Sequence, residues 1–195
     1  KDILDGRYDT SSVIREKDII DEYKVSRTPV REALVQLCTE SFLENIPRYG
    51  YKLVVISPKQ ILEIIEFRKT IEIGALKLSF ENITEKDIQE LKELERKVSE
   101  IEKIHDKRIH WRCNVDFHEK LCSFCKNGYF IKALEDALRV CIGISNQYYT
   151  NVWNRNVEAT ADSHTKIIDA LERKNLDDAC MLLKKDIELF KSEIL

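Results

Sequence analysis

The run Val25-Ser26-Arg27-Thr28-Pro29-Val30-Arg31-Glu32-Ala33-Leu34 constrains this chain more than any other stretch. Ser26 is a good helix N-cap, because its hydroxyl can accept from a free amide of the first turn. Pro29 falls inside that first turn, where a missing N–H costs little. Val30, Ala33, Leu34, Leu37 and Cys38 repeat at the spacing of one buried helical face. Arg27, Thr28, Arg31 and Glu32 fall away from it, with Arg27 and Arg31 one turn apart on the same side. A helix that buries one face and offers two arginines from its N-terminal end suits a DNA major groove, since arginine forks onto guanine O6/N7 or onto phosphate. The plainer reading is an amphipathic helix with a solvated charged face.

The flanking residues favour the first reading. Glu16 to Tyr23 form a short helical pattern with Ile19, Ile20 and Tyr23 inward, followed by Lys24-Val25 and the Ser26 cap. Two short helices joined by a tight turn make a helix-turn-helix. Then Phe42 to Ile46 and Tyr51 to Val55 read as strands around the turn Pro47-Arg48-Tyr49-Gly50, a hairpin wing with Arg48 and Gly50 at its tip. A cation there can reach phosphate or the minor groove, and a glycine lets a backbone approach closely. The run Val25 to Leu34, with Leu37 and Gly50, resembles the winged helix-turn-helix of the GntR family of bacterial transcription regulators over roughly the first 55 residues. The resemblance implies that Arg27, Thr28, Arg31 and Glu32 face double-stranded operator DNA, with Lys17 and the wing tip in support. Lys17 stands where many members carry arginine, which keeps the charge and loses the fork.

Charge bounds how such a head can bind. The chain's net charge is −3, and acidic and basic residues nearly cancel in the first 57 positions. Affinity for DNA must come from local placement of Arg27, Arg31, Arg48, Lys17, Lys24 and Lys52, not from a global field. No apolar run is long enough to span a membrane and no signal-peptide pattern is present, which points to a cytoplasmic protein. The chain opens at Lys1-Asp2-Ile3-Leu4, where the first helix of such a head should already be under way, so the N-terminus is expected to be truncated. The six cysteines lie mostly on apolar stripes and read as buried, reduced thiols. Cys122-Ser123-Phe124-Cys125 has no second pair and is weak as a metal or redox motif.

From Ser57-Pro58, a cap followed by proline at the first helical position, only helical patterns appear. They run roughly over 58–80, 84–105, 107–126, 128–150, 157–173 and 175–193, and helices this long with short loops pack as an antiparallel bundle. The predicted fold is thus mainly α: a winged helix-turn-helix over 1–56 and an all-α bundle for effector binding and dimerisation over 57–195. Thr84-Glu85-Lys86-Asp87 is a capping-box-like start, and the Glu- and Lys-rich stretch it opens reads as a solvated outer helix.

Polar residues interrupt the apolar stripes of the bundle. Arg68 lies in the set Ile61, Ile64, Arg68, Ile71, Ala75; Asn114 and His118 share a face with Trp111, Leu121 and Cys125. His164 aligns with Val157, Ala161, Ile168 and Leu171, and Asp186 with Ala179, Leu182, Leu183, Leu189 and Phe190. An inward carboxylate without a partner is expensive, so these groups are expected to satisfy one another. Two histidines, a carboxylate and a carboxamide oxygen make a ligand set for a divalent metal such as zinc, nickel or manganese. Arg68 could then hold a small carboxylate effector by a forked pair. Glu66-Phe67-Arg68 with Glu72, Asn114-Val115-Asp116-Phe117-His118, and His164 to Leu171 resemble the FadR C-terminal (FCD) ligand-binding domain of one GntR subfamily. Metal-binding members place Asp and His one turn apart, then one His on each of two later helices. Here Asn114 takes the Asp position and Asp186 the last His position, so formal charge is kept while geometry changes.

Together these residues predict a homodimeric, ligand-responsive DNA-binding regulator, a repressor by the family's usual mode. The alternatives are a metal-dependent enzyme using His118, His164 and Asp186, a regulator with a metal-free pocket, and a bundle whose histidines are only structural.

Overall fold

The computed structural model describes the backbone of residues 7–39, 42–102, 107–152 and 158–194, and their side chains except at 98–102, 107–112, 145–152, 158–161 and 192–194. The expectations placed on Lys1 to Leu4 and Val157 lie outside the described residues, and those on Trp111 and Ala161 outside the described side chains. The chain divides into two compact units, one of residues 1–57 with 143–149 and one of 58–142 with 150–195.

In the first unit, α1 (Glu16–Tyr23) and α2 (Arg27–Thr39) form the helix-turn-helix, and β1 (Leu43–Ile46) and β2 (Gly50–Leu53) the wing. Lys24 closes α1 in the left-handed region at φ 54°, its amide donating to the Ile20 carbonyl, and α2 opens directly after Ser26. The strands pair antiparallel with Leu43 opposite Leu53 and Ile46 opposite Gly50. Ile14, just before α1, adds a bridge to Tyr51 through two 2.8 Å backbone hydrogen bonds, which ties the wing to the entry of the helix pair. Gly50 makes this approach possible: it sits at φ 134°, and a Cβ there would meet the Ile14 carbonyl oxygen at 2.6 Å. Ile14, Val30, Leu34, Leu43 and Tyr51 form the core, with Ile19, Ile20, Leu37 and Cys38 packed against it. Two residues expected inside are outside. Ala33 and Tyr23 are exposed, because α1 and α2 turn toward the core along Ile19–Ile20 and Val30–Leu34 and carry both residues past its edge.

In the second unit α3 (Pro58–Ser79), followed by a short 3-10 turn, leads to α4 (Glu85–Glu102), α5 (Lys107–Ser123), α6 (Gly128–Val152, whose residues 143–149 group with the first unit), α7 (Glu158–Glu172) and α8 (Leu176–Ile194). Helix α3 packs on α5 and α8, α4 on α5 and α7, and α7 on α8. The capping box holds: the Asp87 amide donates to Thr84 Oγ1 at 3.3 Å and the Thr84 amide to Asp87 Oδ2 at 2.9 Å. Asn127 caps α6 and Asn175 caps α8, each accepting from an amide of the first turn. A core of Ala75, Val115, Cys122, Leu134 and Leu138 joins α3, α5 and α6. The buried stripe of α3 differs from the expected one. It runs through Ile61, Ile65, Arg68, Glu72, Ala75, Leu76 and Ser79, and Ile64 and Ile71 are only half-buried. The face is rotated so that Glu72 enters the interior. The six cysteines are thiols rather than disulfides, and burial pushes the Cys122 thiol up to about 12, as suits a packing residue. Among the described residues, no helix is long and apolar enough to cross a membrane.

Candidate functional site

Two sets of functional side chains were expected, one in each unit. In the first unit Lys17, Arg27, Thr28, Arg31, Glu32 and Arg48 are all exposed, and Gly50, the first residue of β2, is half-buried. Arg27 and Arg31 project from the first two turns of α2. Arg48 sits at the wing tip in the left-handed region, φ 67°. Lys17 lies in the first turn of α1.

The interior of the second unit gathers the rest. Helices α5, α7 and α8 bring His118, His164 and Asp186 together so that one potential ligand atom from each lies within 4.8 Å of the others. All three are buried, as are Asn114, Arg68 and Glu72. His118 stands between two carboxylates: Nδ1 is 2.5 Å from Glu72 Oε2 and Nε2 is 3.0 Å from Asp186 Oδ2. Glu72 in turn accepts from Arg68 Nε at 2.8 Å through its other oxygen. His164 places Nδ1 at 2.8 Å from Glu95 Oε1, leaving Nε2 at 3.4 Å from the Asn114 amide nitrogen and 3.7 Å from Asp186 Oδ1. The Phe117 ring stacks on His164 at 3.9 Å and 9° and fixes its plane.

Opposed effects set the charges. Burial alone would drive His118 down, but the Glu72 charge raises it to about 9. Burial would raise Asp186, and its hydrogen bond from His118 with the charges of both histidines brings it down to about 2. For the pair Arg68 and Glu72, burial opposes charge on each, and their mutual attraction keeps both ionised, with Arg68 raised and Glu72 lowered.

Four groups named from sequence as metal ligands therefore converge, and Arg68 lies beside them. Sequence reasoning placed no role on Glu72, Glu95 or Phe117. Glu72 stands one turn beyond Arg68 and shares its stripe, a signal that was present. Glu95 lies in the charged helix read as solvated, and nothing in its spacing distinguishes it.

The donor set fits a divalent cation. Glu72 and Glu95 engage the Nδ1 atoms, and both Nε2 atoms turn toward Asp186, as in carboxylate–histidine–metal arrangements. Asp186 Oδ1 is buried without a hydrogen-bond partner, as is Arg68 Nη2. A cation would satisfy the first, and an anion the second. A half-turn of the Asn114 amide would direct its oxygen to the same place.

Comparison with known proteins agrees with both units. Residues 1–53 match the model of the bacterial regulatory proteins of the gntR family, and residues 63–189 match the FCD domain. The HTH-type transcriptional regulator YdhC of Bacillus subtilis is 30% identical across 92% of this chain and 80% of its own length. A probable D-xylose utilization operon transcriptional repressor of Paenarthrobacter nicotinovorans is 25% identical across 88% of this chain and 74% of its own. Among solved structures, Escherichia coli McbR/YncC superposes with a TM-score of 0.79 at 20% identity, covering 96% of this chain and 89% of that one. A GntR regulator from Rhodococcus sp. RHA1 gives 0.80 at 22% identity over 99% and 91%. These structures carry the fold alone. The family consists of transcription regulators, so the metal-enzyme reading of His118, His164 and Asp186 gives way. With a winged helix-turn-helix before an FCD domain, the chain belongs to the GntR family of bacterial transcription regulators.

Proposed function

We propose that the chain is a cytoplasmic, homodimeric repressor whose operator affinity is set by a small organic acid held in the helical unit with the help of a divalent metal. The observation that carries this reading is the pair of buried atoms without a hydrogen-bond partner, Asp186 Oδ1 and Arg68 Nη2, beside two inward-facing histidine Nε2 atoms. His118, His164, Asp186 and the Asn114 amide oxygen would hold the metal; zinc, nickel and manganese all accept such donors. Once bound, the metal supplies positive charge that can take one oxygen of the acid. Arg68 presents Nη2 to the acid's carboxylate while Glu72 fixes its Nε. Glu72 and Glu95 hold the imidazoles in the required tautomer and orientation.

At the DNA end, Arg27, Thr28, Arg31 and Glu32 would enter the major groove of a half-site, with Lys17, Arg48 and the Gly50 backbone against the duplex edges. The division of labour is a head over 1–56 and a sensing, dimerising body over 57–195. Relatives named as repressors of sugar and gluconate operons support the repressor sense. Two heads from one dimer would read two half-sites of a near-palindrome.

A second reading, a metal-free polar pocket, is favoured by one feature: His118 already has a carboxylate at each nitrogen. Elemental analysis of the purified full chain separates the two. One metal per chain is expected, lost in His118→Ala with the DNA-binding unit still folded. Full occupancy in His118→Ala would remove this site from consideration.

A further inference from the structure

An acidic side chain stands among the cations of the DNA-facing unit. Glu16 opens α1, and its Oε2 accepts from Arg27 Nε at 3.0 Å across the turn between the helices. Its other oxygen lies 3.5 Å from the Tyr51 hydroxyl. Tyr51 is itself held, since its ring is in the core and its backbone is bridged to Ile14. The two ends of the ion pair differ in exposure: the Glu16 side chain is 20% exposed and that of Arg27 75%. A covered carboxylate, braced from the wing, therefore grips the near end of an open guanidinium.

The choice of nitrogen matters. By taking Nε, Glu16 leaves both terminal nitrogens of Arg27, the two that fork onto guanine O6 and N7. An ion pair this open contributes little to stability. An arginine that is already oriented, however, loses less freedom when it meets a base edge. We propose that Glu16 is a positioning residue for sequence reading: it aims Arg27 at a base edge, so that a negative charge on the DNA-facing unit strengthens specific binding. The inference rests on Arg27 being a DNA-reading residue.

The sign of the effect makes the test sharp. Deleting an acidic charge beside DNA strengthens binding wherever charge alone matters. The full chain would be titrated against a duplex it has itself selected from a random-sequence library, and against an unselected duplex of equal length. Glu16→Ala should weaken the selected duplex by about tenfold, leave the unselected one equal or tighter, and add nothing in an Arg27→Ala background. Glu16→Gln, which keeps an acceptor, should lose less. Tyr51→Phe removes only the brace and should lose a smaller factor on the selected duplex alone, which keeps the idea testable if Glu16→Ala lowers the melting temperature. Equal or tighter binding of the selected duplex by Glu16→Ala would make Glu16 a brake on Arg27 and overturn the proposal. If Arg27→Ala leaves selected binding intact, the reading role of Arg27 falls and that of Glu16 with it. If Arg27→Ala weakens binding and Glu16→Ala does not, only the Glu16 role falls.

Discussion

Glu72 is the residue on which the interior of the helical unit turns. One of its oxygens takes Arg68 and the other His118, so a single side chain adjoins both the expected anion and the expected metal. The proton it holds on His118 has a measurable consequence. Because His118 titrates near 9 in the folded chain against an ordinary 6.5, its contribution to stability is complete below about 6.5 and is lost as pH rises through about 9. Asp186, held near 2, contributes fully above its ordinary 3.8 and loses that only as pH falls through 2. Chelator-treated protein should thus show its melting temperature declining between pH 6.5 and 9, all else being equal. A metal needs the neutral imidazole, so zinc should raise the melting temperature by a growing amount over the same interval. A zinc shift that stays flat with pH would mean that His118 is not a ligand. Asn114 offers a second test. An amide oxygen is a weaker ligand than a carboxylate, so Asn114→Asp should tighten zinc by about tenfold, a factor of the order seen when groups around a metal change, in competition with a chromogenic chelator. Unchanged or weaker binding would place Asn114 outside the ligand set.

At the scale of elements, the wing depends on one close approach. Gly50→Ala would set a Cβ against the Ile14 carbonyl, in a backbone region that other residues rarely adopt. The expected loss is about 1–3 kcal/mol to the DNA-binding unit, so affinity for selected and unselected duplexes should fall together. A selective loss on the selected duplex alone would give Gly50 a direct reading role instead. The bundle has its own element-level test: Thr84→Ala removes the cap of α4 and should lower stability by about 1 kcal/mol in urea unfolding. Helix spans were legible because their ends are written locally: Pro58 starts α3, Thr84 and Asp87 close the box of α4, and Asn127 and Asn175 cap α6 and α8. The inward histidines and Asp186 were legible because each breaks an apolar stripe. The face of α3 was missed by reading Ile64 and Ile71 in place of Ile65 and Glu72; with Ile61, Arg68 and Ala75 common to both stripes, the face is rotated by less than the 100° of one residue. That rotation is what sends Glu72 inward. Glu95 was hidden for another reason. Its partner His164 lies 69 residues away, and no local pattern records such a pairing.

At the scale of the whole molecule, two compact units on one chain can regulate only if a ligand distinguishes two states of the protein. A metal that binds both states equally shifts nothing, however tightly it is held. If the site of His118, His164 and Asp186 is part of the sensing machinery, zinc must change the affinity of the full chain for its selected duplex. Couplings of this kind change affinity by about 5- to 150-fold. Linkage then demands that the selected duplex change zinc affinity by the same factor. Both arms can be measured on one preparation, the first by fluorescence anisotropy with and without zinc, the second by chelator competition with and without duplex. His118→Ala should erase both. A zinc effect on DNA binding that survives His118→Ala would come from elsewhere on the chain. Zinc that binds with no effect in either arm would make the metal a structural clasp of the bundle. Regulation would then have to run through the acid proposed to bind Arg68, whose Nη2 is buried without a hydrogen-bond partner.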